Sequence, residues 1–470
     1  MPFERSPCDV LVVGSGPAAC TAARLLSLWG RDVVVVAKPD GHEPELCESL
    51  TPSCQKFFDL MGISAEIEAA GFVRSSGHTV GWGDGETRCE PFSDGARGWQ
   101  ATTGKVSRVM LDAAVASGAR VHRATLSADE VLGWPAAYHL DCTGRSGVLA
   151  RARGGRTYEP GHRTVALVGI WRRADGWPLD NPTHTLLESY QDGWGWSVPL
   201  DSAQRALAVM VDPKTTALTK GDGALSVYFG EIAKTRHLAE LFRGTELLNG
   251  PLGWDASMYL SDRPAGDTWL LAGDAASFID PLSSAGVKKA MASGWLSAVT
   301  LNTAFDTPAL KDTAFAFFAA RERETYAQFL ALTRRYLFDG APDVDIPFWT
   351  DRGAPAPGDD DRQAVLRAFD RIKGASELVL RLAPGVRVAD RPALRERQLV
   401  LEPRLVDDAA PEGLRFVDGV DVVVLTRLAP RFQQVPDLLE AYAREVELVP
   451  LPAFLKALST AVAKGWLLGV

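Results

Sequence analysis

The sequence predicts an α/β protein in three parts: a parallel sheet wound with helices, an antiparallel sheet set into it, and a small α+β module at the C-terminal end. Three observations predict it. From Asp9 an apolar run, a glycine turn, an amphipathic stretch and a second apolar run follow in order, "DVLVVGSGPAACTAARLLSLWGRDVVVVA". Apolar runs of this kind, bounded by glycine, read as strands buried on both faces. From Val165 to Val211 apolar and polar residues alternate, as they do in half-buried antiparallel strands. Between Gly340 and Asp361 the Pro, Gly and Asp content marks a linker, and new helical and strand patterns follow it.

The first element is a β-α-β unit carrying a dinucleotide fingerprint. Gly14 permits the tight turn, Gly16 lets the backbone approach a pyrophosphate, and Ala19 stands where a third glycine lets helix and strand pack closely. Pro17 and Ala18 open the helix, whose unpaired N–H groups and positive end suit phosphates. The acidic residue expected at the end of the second strand is missing, since that strand ends Val36-Ala37-Lys38-Pro39-Asp40. Lys38 is the candidate cofactor contact there, and either Asp40 or another group would hold the adenosine ribose.

Two further segments identify the dinucleotide. "YHLDCTGRSG", Tyr138 to Gly147, is a strand ending in a turn with Asp141, Gly144 and Arg145. "GDTWLLAGDAASFIDPLSSAGVKKAMASG", Gly266 to Gly294, is a strand, a loop with Asp274 and Pro281, and a helix beginning near Gly286. With the N-terminal turn, these segments resemble the FAD-binding elements of the para-hydroxybenzoate hydroxylase fold, in order and across roughly the first 330 residues. The resemblance implies that Asp274 binds the ribityl chain. It also implies that Ala285, Gly286 and Val287 face the pyrimidine edge of the flavin, where a helix N-terminus favours negative charge. Lys105 and Arg108, near the start of "VMLDAAVASGA", are candidates for the FAD phosphate.

These readings divide the chain into an FAD-binding domain (1–75, 100–160 and 265–340), a substrate domain (76–99 and 161–264), a linker (341–361) and a C-terminal module (362–470). Ala304 to Phe338 reads as one long helical stretch. In the module, "RQLVLEPRLV" and "LRFVDGVDVVVLT" read as strands and Pro436 to Glu445 and Leu451 to Ala463 as helices, an arrangement that resembles a winged helix. From Arg391 to the end there are ten Lys plus Arg against eleven Asp plus Glu, which argues against a DNA-binding wing and for a protein-docking surface or a lid.

Composition bounds the function. A net charge of −9 argues against nucleic acid and anionic membrane as partners. Six cysteines without a C-x-x-C pair predict neither a metal site nor a disulfide scaffold, and suit the cytoplasm. No apolar run approaches the ~18 residues of a membrane span.

With one fingerprint only, electrons would come from transiently docked NAD(P)H or a separate reductase, and O2 is the expected co-substrate. Reduced FAD would form a C4a-hydroperoxide in a dry pocket that the protein shapes. Trp194, Trp196 and Pro199 in "WGWSVP" match the W-x-W-x-I-P pattern of flavin-dependent halogenases, with Val198 for isoleucine. Glu48-Ser49-Leu50 with Pro52 is similar to their G-E-S-x-x-P loop, and "FIDPLSSAGV" to their F-I-D-P-x-x-S-x-G-V. That family directs hypohalous acid with a lysine ahead of a G-x-x-x-x-W-G segment. Here the region reads "GFVRSSGHTVGWGDGE" and has no lysine, and an arginine such as Arg74 is a poor nucleophile.

Within this clade the chain resembles the flavoprotein monooxygenases that oxygenate a tryptophan in the small subunit of quinohaemoprotein amine dehydrogenase, on the way to cysteine tryptophylquinone. That resemblance implies hydroxylation of an aromatic on a protein or peptide. The alternatives are halogenation of an indole, phenol or pyrrole, an FAD reductase, and a non-catalytic flavin-fold scaffold. The candidate catalytic residues are Glu188 as base, His78 as proton relay, Trp194 and Trp196 as pocket walls, and Glu48.

Overall fold

The computed structural model describes residues 5–39, 46–83, 86–216, 218, 222–342, 345–355 and 360–469. Asp40, the alternative ribose contact, lies outside them. The chain divides into two compact units, Met1–Ala356 and Pro357–Val470.

In the first unit, Cys8–Val13 is the central strand of a five-stranded parallel sheet. The strand order is Trp269–Leu271, Ala136–Asp141, Cys8–Val13, Val33–Ala37 and Arg120–Arg123. Val10, Leu11 and Val12 are wholly buried, as a strand covered on both faces requires. The fingerprint helix Pro17–Leu28 packs on helix Gly286–Asp306, which is buried almost all round. The expected single helix from Ala304 is corrected. Helix Gly286–Asp306 ends, Pro308 opens a short 3-10 turn, and a second helix runs Lys311–Asp339, because a proline inside the run removes a donor and stops the first helix.

The alternating segment forms a seven-stranded sheet. Its order is Glu246–Asp255, Val165–Arg172, Gln204–Val211, Gly193–Pro199, Thr185–Tyr190, Gly77–Gly81 and Arg88–Pro91. The pairing is antiparallel except between Thr185–Tyr190 and Gly77–Gly81. Side chains divide between its faces with period two. Leu167, Trp171, Leu207 and Val209 pack against Tyr228 and Ile232 of helix Asp222–Lys234. Ala166, Val168, Trp194, Ala208 and Met210 pack on the opposite face with Leu282 and Trp349. A small antiparallel sheet of Cys47–Leu50, Gly98–Thr102 and Val73–Ser75 adjoins the unit.

The linker reading of 341–361 does not hold over its first half. Pro347–Thr350 is a helical turn, Phe348 and Trp349 are buried in the first unit, and Arg352 forms a buried ion pair with Asp212 at 2.7 Å. The Pro, Gly and Asp content concealed two large aromatic anchors.

The second unit holds helix Asp360–Gly374, a hairpin of Arg387–Arg395 with Gln398–Val406, and helices Val422–Leu428, Val435–Glu445 and Leu451–Ala463 around a core of Leu425, Leu438, Tyr442, Phe454 and Leu458. The strand expected over "LRFVDGVDVVVLT" is corrected. Only Phe416–Val417 and Val420–Asp421 pair, and Asp421 then accepts from the N–H groups of Val423 and Val424, capping a helix. A buried apolar run has the same look in either conformation, and the aspartate decides between them.

Candidate flavin site

The fingerprint turn has the form its residues dictate. Gly14 has φ +119°, and a Cβ there would lie 2.2 Å from the carbonyl oxygen of Cys142, so only glycine fits. Gly16 is different, because its backbone is ordinary and nothing stands within 4 Å of a Cβ built on it. The space over Gly16 is open. Pro17 occupies the first helical turn, no side chain caps the helix and no acid lies in its first turn, so its N–H groups point into that space unpaired by any cap. Ala18 and Ala19 are buried against the neighbouring elements. Gly286, at the start of the second long helix, repeats the pattern: its N-cap Ala285 makes no side-chain cap bond and nothing lies within 4 Å of a Cβ at Gly286. Ala285 and Val287 are buried beside it, and Pro281 opens the preceding turn, which Asp280 caps through the Leu282 N–H at 2.9 Å. Two uncapped helix N-termini and two open glycines suit a long anionic cofactor with a pyrophosphate at one end and an electron-accepting ring at the other.

Asp274 sits between them in the 3-10 turn Gly273–Ala275. Its carbonyl accepts from the Tyr259 hydroxyl at 2.6 Å, its carboxylate is part-exposed, and Lys289 Nζ stands 4.0 Å from Oδ1. Glu48, on strand Cys47–Leu50, faces Asp274. Burial first, and the Asp274 charge second, push the Glu48 carboxyl up to about 7. Asp280 is raised to about 6 by burial, with the Leu282 N–H and Arg352 pulling the other way.

A cavity of about 710 Å³ lies between the inner face of the large sheet and the first turn of helix Thr103–Ala116, lined among others by Gln100, Thr102, Lys105, Ile170, Asn249 and Leu252. That helix lies beside the fingerprint, since the Cys20 thiol reaches both Ser15 O at 3.2 Å and Ser107 O at 3.8 Å. Lys105 therefore borders the cavity on the fingerprint side. Lys38 is exposed just beyond strand Val33–Ala37.

Several expected site residues have other work. Glu188 is not a base: its carboxylate accepts from the N–H groups of Arg236 at 2.5 Å, His237 at 3.1 Å and Leu238 at 2.9 Å, and so caps helix His237–Leu241. Asp141 presents no free carboxylate either. It is wholly buried and accepts from the backbone of Thr143, Leu149 and Ala150, holding the turn at which Gly144 takes φ +62°. Trp194 is buried core, edge-on to Trp82 with centroids 6.2 Å apart. Trp196 is part-exposed, with Cys47, Ile170 and Val198 around it, and its Nε1 is buried with no hydrogen-bond partner among the described residues. His78 packs edge-on to Phe92 at 5.0 Å, and burial lowers its pKa. It pairs in the sheet with Thr185, on the side of Thr185–Tyr190 away from Trp194 and Trp196, so the sheet does not bring it together with them.

Other contributors gave no motif. Tyr259, Lys289 and Ser293 hold the Asp274 turn, and a Cβ at Gly294 would stand 2.3 Å from Ala18 O. A lysine and a serine four residues apart within the apolar run "KAMAS" were the signal available for two of them.

Residues 7–132 match the family model described as an FAD binding domain. The flavin-dependent halogenase armH3 of Armillaria mellea is 25% identical over 370 residues, 68% of this chain and 72% of that protein. Among solved structures, the flavin-dependent halogenase CmlS superposes with a TM-score of 0.76 at 19% identity, covering 99% of this chain and 96% of its own. The peptidyl tryptophan dihydroxylase QhpG, essential for tryptophylquinone cofactor biogenesis, does so with a TM-score of 0.69 at 20% identity, covering 98% and 100%. The fingerprint turn, the Asp274 loop and these likenesses agree: the chain is an FAD-dependent enzyme, similar in sequence to flavin-dependent halogenases and in fold to a halogenase and a peptidyl tryptophan dihydroxylase.

Proposed function

We propose that the protein is a monooxygenase that hydroxylates an aromatic ring carried on a protein or peptide, a tryptophan destined for a cysteine tryptophylquinone being the substrate the likeness to QhpG favours. The observation that carries the choice of hydroxylation lies where a halogenase lysine would stand. Ser75 is buried with its hydroxyl on Gly77 O at 3.1 Å, and Ser76 shares a hydrogen bond with His184 Nε2 at 3.0 Å. Neither supplies an amine, and Gly71 to Glu86 contains no lysine. The small subunit of a quinohaemoprotein amine dehydrogenase is the proposed partner, NAD(P)H or a separate reductase the electron source, and the cytoplasm the compartment that six free cysteines suit.

The residues divide the work. Gly14, Gly16 and the first turn at Pro17 receive the pyrophosphate of FAD, Asp274 its ribityl hydroxyls, and the Gly286 end of its helix the pyrimidine edge. FAD supplies activation of O2 when reduced. Trp196, Ile170 and Val198 exclude water from the inner face of the sheet. Glu48, with its pKa near neutrality, can hold or release a proton beside Asp274.

Halogenation is the second reading, favoured by "WGWSVP", "FIDPLSSAGV" and the halogenase relatives. One experiment decides between them. The FAD-loaded protein, reduced under ¹⁸O2 with bromide present and a tryptophan peptide of that small subunit as substrate, is expected to add labelled oxygen and no bromine. Brominated peptide overturns the proposal.

A further inference from the structure

Helix Gly286–Asp306 carries a lysine in its first turn, where the helix's own positive end disfavours a cation. Lys289 is also buried, and burial lowers the pKa of its ammonium. Such a group persists only if its partners over-compensate. Its Nζ donates to Gly273 O at 2.9 Å and to Ser277 O, the two ends of the turn that carries Asp274. One helical turn further on, the Ser293 hydroxyl accepts from the Gly273 N–H at 2.9 Å. Both backbone polar groups of Gly273 are thus held by one face of one helix. Gly273 itself has φ +64°, and a Cβ there would be 2.9 Å from Ala18 Cβ, so the turn cannot slide toward the fingerprint helix. Behind Lys289 and Ser293 stands Glu322 of helix Lys311–Asp339, a buried carboxylate that hydrogen-bonds with Ser293 and feels the Lys289 charge.

On its other side the ammonium is 4.0 Å from the Asp274 carboxylate, and Asp274 in turn faces Glu48. As a like charge, Asp274 adds to burial in raising the Glu48 pKa. The other groups around Glu48 do not reverse this direction. The Cys54 thiol, pushed up to about 11 by burial, is neutral, and Lys288 is a part-exposed cation whose charge acts on that thiol. The paired strand Gly98–Thr102 and the adjoining Gly193–Pro199 bring no titratable side chain. On the same loop as Asp274, Asp280 answers to Arg352 instead.

We propose that Lys289 is a positioning residue for the flavin: with Ser293 it locks the Gly273 turn, and its ammonium fixes the Asp274 carboxylate in the site that Glu48 shares. This rests on the reading of the Asp274 turn as the FAD site. It accounts for a buried lysine at a helix N-terminus, which packing alone would disfavour.

The test is a pH titration of the absorbance of bound oxidised FAD in the full-length protein, at saturating FAD, between about pH 5 and pH 9. The native protein is expected to show one step near neutrality. Glu48→Gln should abolish it. Lys289→Met, which keeps the stem and removes the charge, should raise the midpoint by about one pH unit or more and weaken FAD binding roughly tenfold. Asp274→Asn should move the midpoint down, because a like charge is removed. Should Lys289→Met fail to fold with Glu322 left unpaired, Lys289→Met/Glu322→Gln removes both buried charges and should keep the loss of FAD affinity with a smaller upward shift, because a negative charge leaves with the positive one. A step that survives Glu48→Gln, or a midpoint unmoved by loss of Lys289, overturns the proposal. FAD bound equally well by the native protein and by Asp274→Ala would instead overturn the assignment of the cofactor site, a result separable from the first by FAD affinity alone.

Discussion

Gly294 and Ala18 lie in backbone contact: a Cβ on Gly294 would sit 2.3 Å from Ala18 O and 3.1 Å from its Cα. The fingerprint helix and the helix that opens at Gly286 therefore touch main chain to main chain, and the spacing between their two uncapped N-termini is fixed at this crossing. Gly294→Ala forces the helices apart. It should cost about 1–3 kcal/mol of stability, as overpacking does, and weaken FAD binding in the folded fraction. Chemical denaturation together with an FAD titration checks both, and an unchanged FAD affinity would show that the crossing does not set the site.

Glu188 is expected to matter for stability and not for chemistry. Its carboxylate satisfies three backbone N–H groups at the start of helix His237–Leu241. Glu188→Ala leaves them buried and unpaired, a loss of about 1–3 kcal/mol. Thermal melting should move, while turnover per folded molecule should stay within about threefold of native, far less than the ~10²-fold or larger loss that follows removal of a general base. A large fall in turnover at unchanged Tm would restore the catalytic role.

What the sequence disclosed and what it hid divide on locality. The strand, the glycine turn and the helix start at Pro17 are legible because all three lie within a few residues. The same holds for the turns at Asp274 and Pro281 and the helix that opens at Gly286, each set by its neighbours. Glu188 could not be read, because the N–H groups that occupy it come from Arg236 to Leu238, far along the chain, and a carboxylate on a strand looks alike whether it caps a helix or abstracts a proton. Trp349 and Arg352 were hidden in a Pro- and Gly-rich stretch whose composition says linker, although the indole Nε1 reaches Gln191 O at 3.0 Å and the guanidinium reaches Asp212. Lys289 was hidden most completely, since a lysine in a helix ordinarily faces water.

Stability should depend on pH through His162. It is buried, neither ring nitrogen has a hydrogen-bond partner among the described residues, and burial followed by Arg352 and Arg334 drives its pKa down to about 4. The unfolded chain takes up a proton near pH 6.5 that the folded chain refuses until about 4. Its contribution is therefore intact above the unfolded value and is lost as pH falls through this window, to a total of about 3 kcal/mol. Glu48 works in the opposite sense: its raised pKa lets the folded chain keep a proton between 4.5 and about 7, so its contribution falls as pH rises there. His162→Gln should remove the acid-side loss and leave the Glu48 slope. Urea midpoints at pH 7, 6 and 5 for both proteins test this, and parallel curves would refute it.

The last prediction concerns a lysine placed where a halogenase would carry one. Ser75 is 1% exposed and its hydroxyl is already bonded to Gly77 O, so Ser75→Lys buries an ammonium without a partner. Several kcal/mol are lost, enough to unfold much of the chain. Ser76 differs, because it is only part-buried and its bond is to His184, whose Nδ1 also meets Thr79 Oγ1 at 3.1 Å. Ser76→Lys should fold, with partial burial easing the amine toward neutrality and the His184 imidazole at hand as a hydrogen-bond acceptor. FAD should still bind, since neither serine touches the Gly16 turn or the Asp274 loop. Oxygen transfer should fall in this variant because a basic amine now stands in a site arranged without one. With bromide present, native protein should give only oxygenated peptide, so bromine appearing in Ser76→Lys and not in native would identify the amine as the missing element. Bromine in the native product would mean that another group captures hypohalous acid, and that hydroxylation is the wrong reading of this site.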